Sequence, residues 1–490
     1  MSGRAAAPGS TLALLACAAV LAWPASVLRA QGYRGQAGAF ATYLELRPLV
    51  RDSLPEDQVP GDGLRRRLAD LTVVSCTPNE YCRWYRSGPV RDVAVATQEV
   101  RAVGWSGIAG LSAHVHLRGR FGTDDLWPRA DQTFEALTAY LDYDHGDYRF
   151  RAGRQYRVNG LGYYNFDGLA ATWRGFDPLT LEAWAGWSLG RGLNAPRSGD
   201  LLAAADEFAP DDRGLVLGLE AGAHWGRRLA GTVVYQREIR TDLDALYAER
   251  MAMDATGIAG PVRLDASVTY DLSFREVNDA RLRARVPLPA GVRLTLEGRH
   301  RTPFFELWTI WGAFSPVGFN EGSAAVDWPV PGTDLLLGLG GGYRSYERTG
   351  AGTSFTTIRD DGWRVSATAD WTHAGWYAGG SYRAEVGFGA SSLGGGAELG
   401  RRFGDRARLG VRATSTQMLG EFRFGEQRLT GAALEGRLKM WNLDLTGSAG
   451  LYHLGFDESP GTPDWTQLRG FLGVSRPFGS GPRAHAGGGR

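Results

Sequence analysis

The chain has 490 residues, a formal net charge of +1, 69 glycines and a 22% share of charged residues. That balance gives no reason to expect nucleic-acid binding, and the slightly negative mean hydropathy argues against a bundle of membrane helices. It suits a transmembrane barrel, in which alternate residues meet lipid and the others line a polar lumen. Composition does not shift along the chain, no linker divides it, and Lys439 is the only lysine, so arginine supplies nearly all the positive charge.

Residues 1–30 read as an export signal. Arg4 supplies the positive region, an apolar run covers Thr11 to Trp23, and small residues lead to a cleavage site after Ala30. The run is too short to cross a bilayer as a helix. Leu14-Leu15-Ala16-Cys17 has the outline of a lipoprotein box, but too few apolar residues precede the cysteine. Removing Cys17 leaves Cys76 and Cys82, which flank Thr-Pro-Asn-Glu-Tyr. In an oxidising compartment they are expected to form a disulfide within a hairpin-containing extension over 48–90. A metal or redox pair is disfavoured, since no histidine is near and the spacing is not Cys-x-x-Cys.

After residue 90 the pattern has a period of two. From Val262 to Arg275 every even position is apolar or aromatic and every odd one polar. Similar runs cover Asp279 to Val286, Val292 to Glu297, Trp363 to Thr372 and Asn442 to Leu451. Alternation puts one set on each face of a strand. The longer runs exceed the ~5–6 residues of a globular strand and match the ~9–11 needed to cross hydrocarbon at a tilt. Tight turns at Gly104–Gly107, Pro287–Gly291 and Val330–Thr333 alternate with long connections at Arg191–Asp212, Thr302–Gly322 and Phe456–Trp465. Short turns on one side and long loops on the other mark an outer-membrane barrel.

The predicted fold is therefore all-β: one transmembrane antiparallel barrel over 31–478, followed by a disordered Gly-rich tail, 479–490. Counting from Gln36–Arg47 to Asp464–Phe478 predicts about 22 strands. Several boundaries are soft, notably Leu243–Thr256, where alternation fails, and they set the range at 18–22. An even count puts both termini on the periplasmic side. Leu468–Phe478 resembles the terminal strand recognised by barrel-assembly machinery, with Gly473 and Phe478 matching and Arg476 departing from the pattern.

Charge on a lipid face costs about 2–4 kcal/mol per arginine near the midplane, so the polar rows should face the lumen. Arg149, Arg151 and Arg157 share one row; Arg281, Arg283 and Arg285 another; Arg293, Arg299 and Arg301 a third. Arg263, Asp265, Asp271, Asp279 and Glu297 belong to the same wall. Guanidinium groups recognise carboxylate or phosphate at two points, which favours an anion pathway. The equally weighted alternative is a wall laced by Arg–carboxylate pairs.

Gly153-Arg154-Gln155 and Phe166-Asp167-Gly168 sit on adjacent strands joined by Val158–Tyr164. This pair of motifs resembles a feature of outer-membrane porins and alginate-export-like barrels. The resemblance implies a solute channel with Arg154, Gln155 and Asp167 at its constriction. Strict alternation puts Arg154 and Gln155 on opposite faces unless a bulge intervenes at Gly153. Pro303–Phe319 carries Phe304, Phe305, Trp308, Trp311 and Phe314. It is a candidate constriction loop, though an interfacial girdle or an extension of the adjoining strands is the stronger expectation.

None of the eight histidines lies in a Ser-rich signature, and the densest acid–His cluster, Asp142 to His145, adjoins a turn expected on the periplasmic side. An outer-membrane lipase or protease is thus the weaker expectation, as is a structural sleeve for a partner protein. His114 and His116 share a strand face without a further metal ligand in view. No cofactor is implied. The expected function is passive diffusion of small hydrophilic solutes, anionic or saccharide, through an Arg/carboxylate-lined lumen. The expected partners are outer-membrane lipid, barrel-assembly machinery, those solutes and further copies of the chain.

Overall fold

The computed structural model describes residues 32–47, 49–61, 65–68, 73–77, 80–122, 134–189, 214–240, 245–302, 318–347, 361–387, 392–418, 427–456 and 464–480. The expected signal peptide lies outside them. A single 22-stranded antiparallel sheet runs from Gly32–Leu46 and Arg91–Trp105 round to Leu443–Phe456 and Trp465–Ser480. Each strand pairs with its neighbours in sequence, and Gly32–Leu46 pairs with both Arg91–Trp105 and Trp465–Ser480, which closes the barrel. Among the described residues no helix is long and apolar enough to cross a membrane.

Register sorts the alternating residues into two rows. Between Val262–Asp271 and Glu276–Pro287, Leu264 opposes Ala284 and Ala266 opposes Leu282, while Arg263 opposes Arg285 and Asp265 opposes Arg283. The apolar row stays exposed around the ring, with Leu169, Leu219, Leu339, Leu399, Leu451 and Leu472 each more than half accessible. An apolar belt of that extent faces hydrocarbon, and the polar row lines the lumen.

Tyr33 pairs with Ser480, so both described ends lie at one rim. There the connections are short, among them 106–110, 146–147, 260–261, 330–334 and 441–442. The expected long connections all fall at the opposite rim, as 189–214, 302–318 and 457–464. Three links at that rim have four residues or fewer: 160–161, 241–244 and 272–275.

Three expectations need correction. The last strand reaches Ser480, because Gly479 and Ser480 still pair with Arg34 and Tyr33, so the tail gives up its first two residues to the sheet. Leu243–Thr256, where alternation fails, contains most of a regular strand, Ala245–Ala259. Its pattern is masked because the inner row holds buried Ala248 and Ala252 while acidic Glu249 sits in the outer row. Val158–Tyr164 is not a connecting loop, since its flanking strands run to Asn159 and start at Gly162.

The extension forms a separate four-stranded sheet of Leu49–Pro55, Arg65–Arg67, Val73–Cys76 and Tyr81–Ser87. The Cys76–Cys82 disulfide joins cross-strand partners. Val59, Val74 and the two cysteines make its core, with Leu54, Leu68 and Trp84 packed against them. The Arg66 guanidinium donates to the carbonyls of Glu56 at 3.1 Å and Val59 at 3.0 Å, which ties the connecting segment to the sheet.

Candidate functional site

The inner row carries most of the singled-out charges, and many are paired. Arg149 donates to Asp142 at 2.9 Å, Arg151 to Glu182 at 2.9 Å, and Arg157 meets Glu182 at 2.5 Å. Asp265 lies between Arg263 at 3.1 Å and Arg285 at 3.3 Å; Arg283 donates to Glu297 at 2.7 Å, and Arg299 to Asp279 at 2.9 Å. Farther round the wall Glu321 accepts from Arg344 at 2.6 Å and also pairs with Arg364. Arg281 and Arg293 make no ion pair among the described residues. Arg281 stands directly opposite Arg299. Like charges in register repel, so Arg281 adds positive charge to this stretch of wall, with the Asp254 carboxylate within electrostatic reach.

Asp271 has another task. It is almost fully buried, and its Oδ1 accepts from the backbone amides of Ser273 at 2.8 Å and Phe274 at 3.1 Å. It caps the tight turn 272–275, which corrects its expected place among the selectivity residues.

The narrowing element is the hairpin Tyr148–Asn159/Gly162–Phe176. Pairing with the preceding strand, Phe134–His145, stops at Ala139↔Arg154. Pairing with the following strand, Leu179–Ser188, stops at Phe166↔Ser188, and one more bond runs from the Leu189 amide to the Asn165 carbonyl. Beyond those points the hairpin leaves the wall as a tongue. Its Leu161, Tyr164 and Phe166 pack on Trp184, Val216, Val234 and Ala252, inner-row residues of the next four strands. At the tip, a Cβ on Gly160 would lie 2.8 Å from the Cβ of Ala252 and against the Asp254 carboxylate. A two-stranded ribbon advancing ~3.3 Å per residue can lie across strands ~4.8 Å apart in this way.

The two short motifs form the base of the tongue. They are cross-strand partners throughout: Gly153 with Gly168, Arg154 with Asp167, Gln155 with Phe166. Gly153 adopts φ +122, which favours glycine, and a side chain on Gly168 would strike the Ala185 carbonyl and lie 2.6 Å from Gly186 Cα. The Gly–Gly step therefore thins the wall where it bends. On the inner side Gln155 is fully buried and its Nε2 donates to the Gly168 carbonyl at 3.1 Å. On the other side Arg154 grips Asp167 through two bonds of 2.8 and 2.9 Å, and its Nη1 donates to the Ala136 carbonyl at 3.0 Å. Pairing runs through without a register shift, so Arg154 and Asp167 share the outer row of Phe150 and Leu169. This corrects the expectation that both line the lumen; they are a clamp at the point of bending.

Below the tongue tip, Thr180, Glu182, Glu220, Thr232, Asp254 and Thr256 line a recess of about 390 Å³. Asp254 makes no ion pair among the described residues. His114 stacks on Tyr140 with ring centroids 4.7 Å apart, and His116 lies 3.3 Å from Glu99 and 3.1 Å from the Arg101 Nε. Among the described residues no group of three or more His, Cys, Asp or Glu side chains is arranged to hold a metal ion. Phe304, Phe305, Trp308, Trp311 and Phe314 lie outside the described residues.

The tongue's packing residues escaped the sequence reading. A signal was present: Tyr164, Phe166 and Ala170 put apolar side chains in the row that elsewhere is polar.

No family model matches the chain, and no curated protein does. Solved structures resemble it at low identity. Pseudomonas aeruginosa OccK2 (OpdF), in complex with glucuronate, is 9% identical over 91% of this chain and 98% of its own, with a TM-score of 0.41. A BenF-like porin from Pseudomonas fluorescens Pf-5 is 10% identical over 91% and 99%, TM-score 0.40, and Acinetobacter baumannii OccAB4 is 9% identical over 92% and 99%, TM-score 0.39. Likeness of this degree decides nothing about what passes through the present barrel.

Proposed function

We propose that the chain is a bacterial outer-membrane channel through which small hydrophilic solutes diffuse passively, with anions favoured. One observation carries this reading: the inner row over Val262–Arg301 is dense in arginines and carboxylates, and Arg281 stands in it opposite Arg299 without an ion pair among the described residues. About eight strands already make a ring that side chains can fill, so a 22-stranded ring cannot be filled by its wall alone. Solutes would be sorted by the width left beside the tongue and by the guanidinium field along the wall. Saccharides fit the same passage through the hydroxyls and carboxylates of the recess. Export by residues 1–30, insertion through the Trp465–Ser480 strand by barrel-assembly machinery, and association of copies belong to the same reading.

Refolded protein in planar bilayers tests it. Stepwise ion conductance is expected, with chloride preferred to potassium; absence of conductance in all salts would overturn the channel. Replacing Arg281, Arg283 and Arg285 by glutamine should lower the anion-to-cation permeability ratio roughly two- to fivefold. An unchanged ratio would remove the arginine pathway while leaving the channel.

A further inference from the structure

The bend that sends the tongue inward leaves a hollow on the lipid side of the wall. Gly153, Gly168 and Gly186 stand in register there, so backbone alone makes up one row of the sheet. The hollow has a volume of about 740 Å³ and an apolar lining. Its outer-row residues include the short side chains of Ala152, Ala171, Ala183 and Ala185, with exposed Phe150 and Leu219 beside them. It reaches from Leu111 to Tyr235, across six inter-strand spacings of ~4.8 Å, or roughly 29 Å of surface. So wide a hollow takes several acyl chains side by side. Charge stands at its end nearer the long connections. Arg154 lies two residues beyond Ala152, and Arg237 two residues beyond Tyr235, both toward that rim. Arg154 is held by Asp167 and the Ala136 carbonyl. Arg237 is freer: it is nearly half exposed, its contact with Glu249 is 3.9 Å long, and Glu249 also accepts from the Tyr235 hydroxyl. An arginine on the lipid face is costly at the midplane and cheap at the interface, so these side chains mark the level of the lipid headgroups.

We propose that this hollow is a lipid-binding site on the outside of the barrel, and that its occupant is a phosphorylated glycolipid with several acyl chains, of the lipid A class, held with a phosphate at Arg237. The inference concerns the lipid side of the wall and is independent of what passes through the lumen. It rests on the chain's place in the outer membrane, with the long connections outermost. Acyl chains cover the alanines, and the guanidinium meets phosphate oxygens with paired, charge-assisted hydrogen bonds. Those bonds are stronger at the border of the hydrocarbon than in bulk water. A two-chain phospholipid covers less of the hollow. A second outer-row hollow, of about 450 Å³ beside Leu339, Ala367 and Tyr382, has no arginine in the outer row of its four strands and is the natural control.

Native mass spectrometry of the full chain in detergent, titrated with lipid A and separately with phosphatidylglycerol, tests the site. The comparison takes wild type, Ala171→Trp/Ala183→Trp, Arg237→Gln, and Ala367→Trp in the control hollow. Ala171 and Ala183 are cross-strand partners, so two indoles there fill the hollow from its middle. Wild type should carry one lipid A at concentrations roughly tenfold below those that give phosphatidylglycerol adducts. The double tryptophan variant should bind lipid A roughly fivefold or more weakly, and Arg237→Gln roughly three- to tenfold more weakly. Ala367→Trp should bind as wild type does. Unchanged heat-modifiable mobility in detergent gels separates loss of the site from loss of the fold, and Arg237→Gln alters no packing should the double variant fail to fold. Equal affinity for the two lipids overturns the proposal. So does lipid A binding that neither the tryptophans nor Arg237→Gln weakens, or that Ala367→Trp weakens equally.

Discussion

Arg154 and Asp167 sit where the hairpin Tyr148–Asn159/Gly162–Phe176 leaves the sheet, and their chemistry suits that position. A bidentate guanidinium–carboxylate pair fixes both distance and angle between two strands, which a single hydrogen bond cannot. The third bond, to the Ala136 carbonyl, ties the pair to a strand that no longer accompanies the tongue. Both side chains are about one-quarter to one-third exposed, so the pair should contribute more than a surface salt bridge and less than a fully desolvated one. Arg154→Ala and Asp167→Ala are each expected to cost about 1–2 kcal/mol, with a coupling of roughly 1 kcal/mol in the double variant. Denaturant titration of the refolded barrel measures all three; strict additivity would mean that the pair does not act as a clamp. Neighbouring Gly153 shows what sequence reading can and cannot do at this scale. Alternation correctly put Arg154 and Gln155 on opposite faces, but it does not say that the wall bends there. That follows only from where the pairing to the two flanking strands stops.

Among the elements, strands were legible and their partners off the wall were not. A lipid-facing strand writes itself into the sequence, because each residue has one of two environments and the choice alternates. The tongue obeys the same alternation while its environments are exchanged: apolar residues pack on a wall and the other face meets water. A period of two does not distinguish the cases. The appended sheet was visible only through its cysteines, since its strands are too short for a pattern to build up. Its small core of Val59, Val74 and the disulfide is separate from the barrel, so the two should respond separately to mutation. Cys76→Ala/Cys82→Ala is expected to open residues 49–87 to protease while the barrel keeps its heat-modifiable mobility in detergent gels. Loss of both together would show that the appended sheet is part of the barrel's own folding unit.

At the level of the whole molecule, the even strand number and the asymmetry of the connections were readable because both are properties of chain length between apolar runs. The rim with the long connections is expected to face the cell exterior. With Cys76 and Cys82 in a disulfide, a single introduced thiol reports its own location. Phe274→Cys, in a tight turn at the rim with the long connections, is expected to react with a membrane-impermeant maleimide on intact cells. Trp441→Cys, in a turn at the rim with both described ends, should react only after the outer membrane is breached. The reverse pattern would invert the predicted orientation.

The seam between Gly32–Leu46 and Trp465–Ser480 carries a temporal consequence. Partners such as Tyr33 and Ser480 are separated by nearly the entire chain, so no loop closure in this molecule is entropically longer. The sheet can be zipped hairpin by hairpin from residue 91 onward, but the first strand must hold an unsatisfied edge until the last has been synthesised and delivered. Ring closure is thus the slowest step that topology imposes, and it comes at the end. Until then the chain exposes two open edges, each a template for wrong pairing with another nascent copy. A lesion confined to the last strand would therefore act as a defect of completion, leaving a correctly zipped but unsealed sheet.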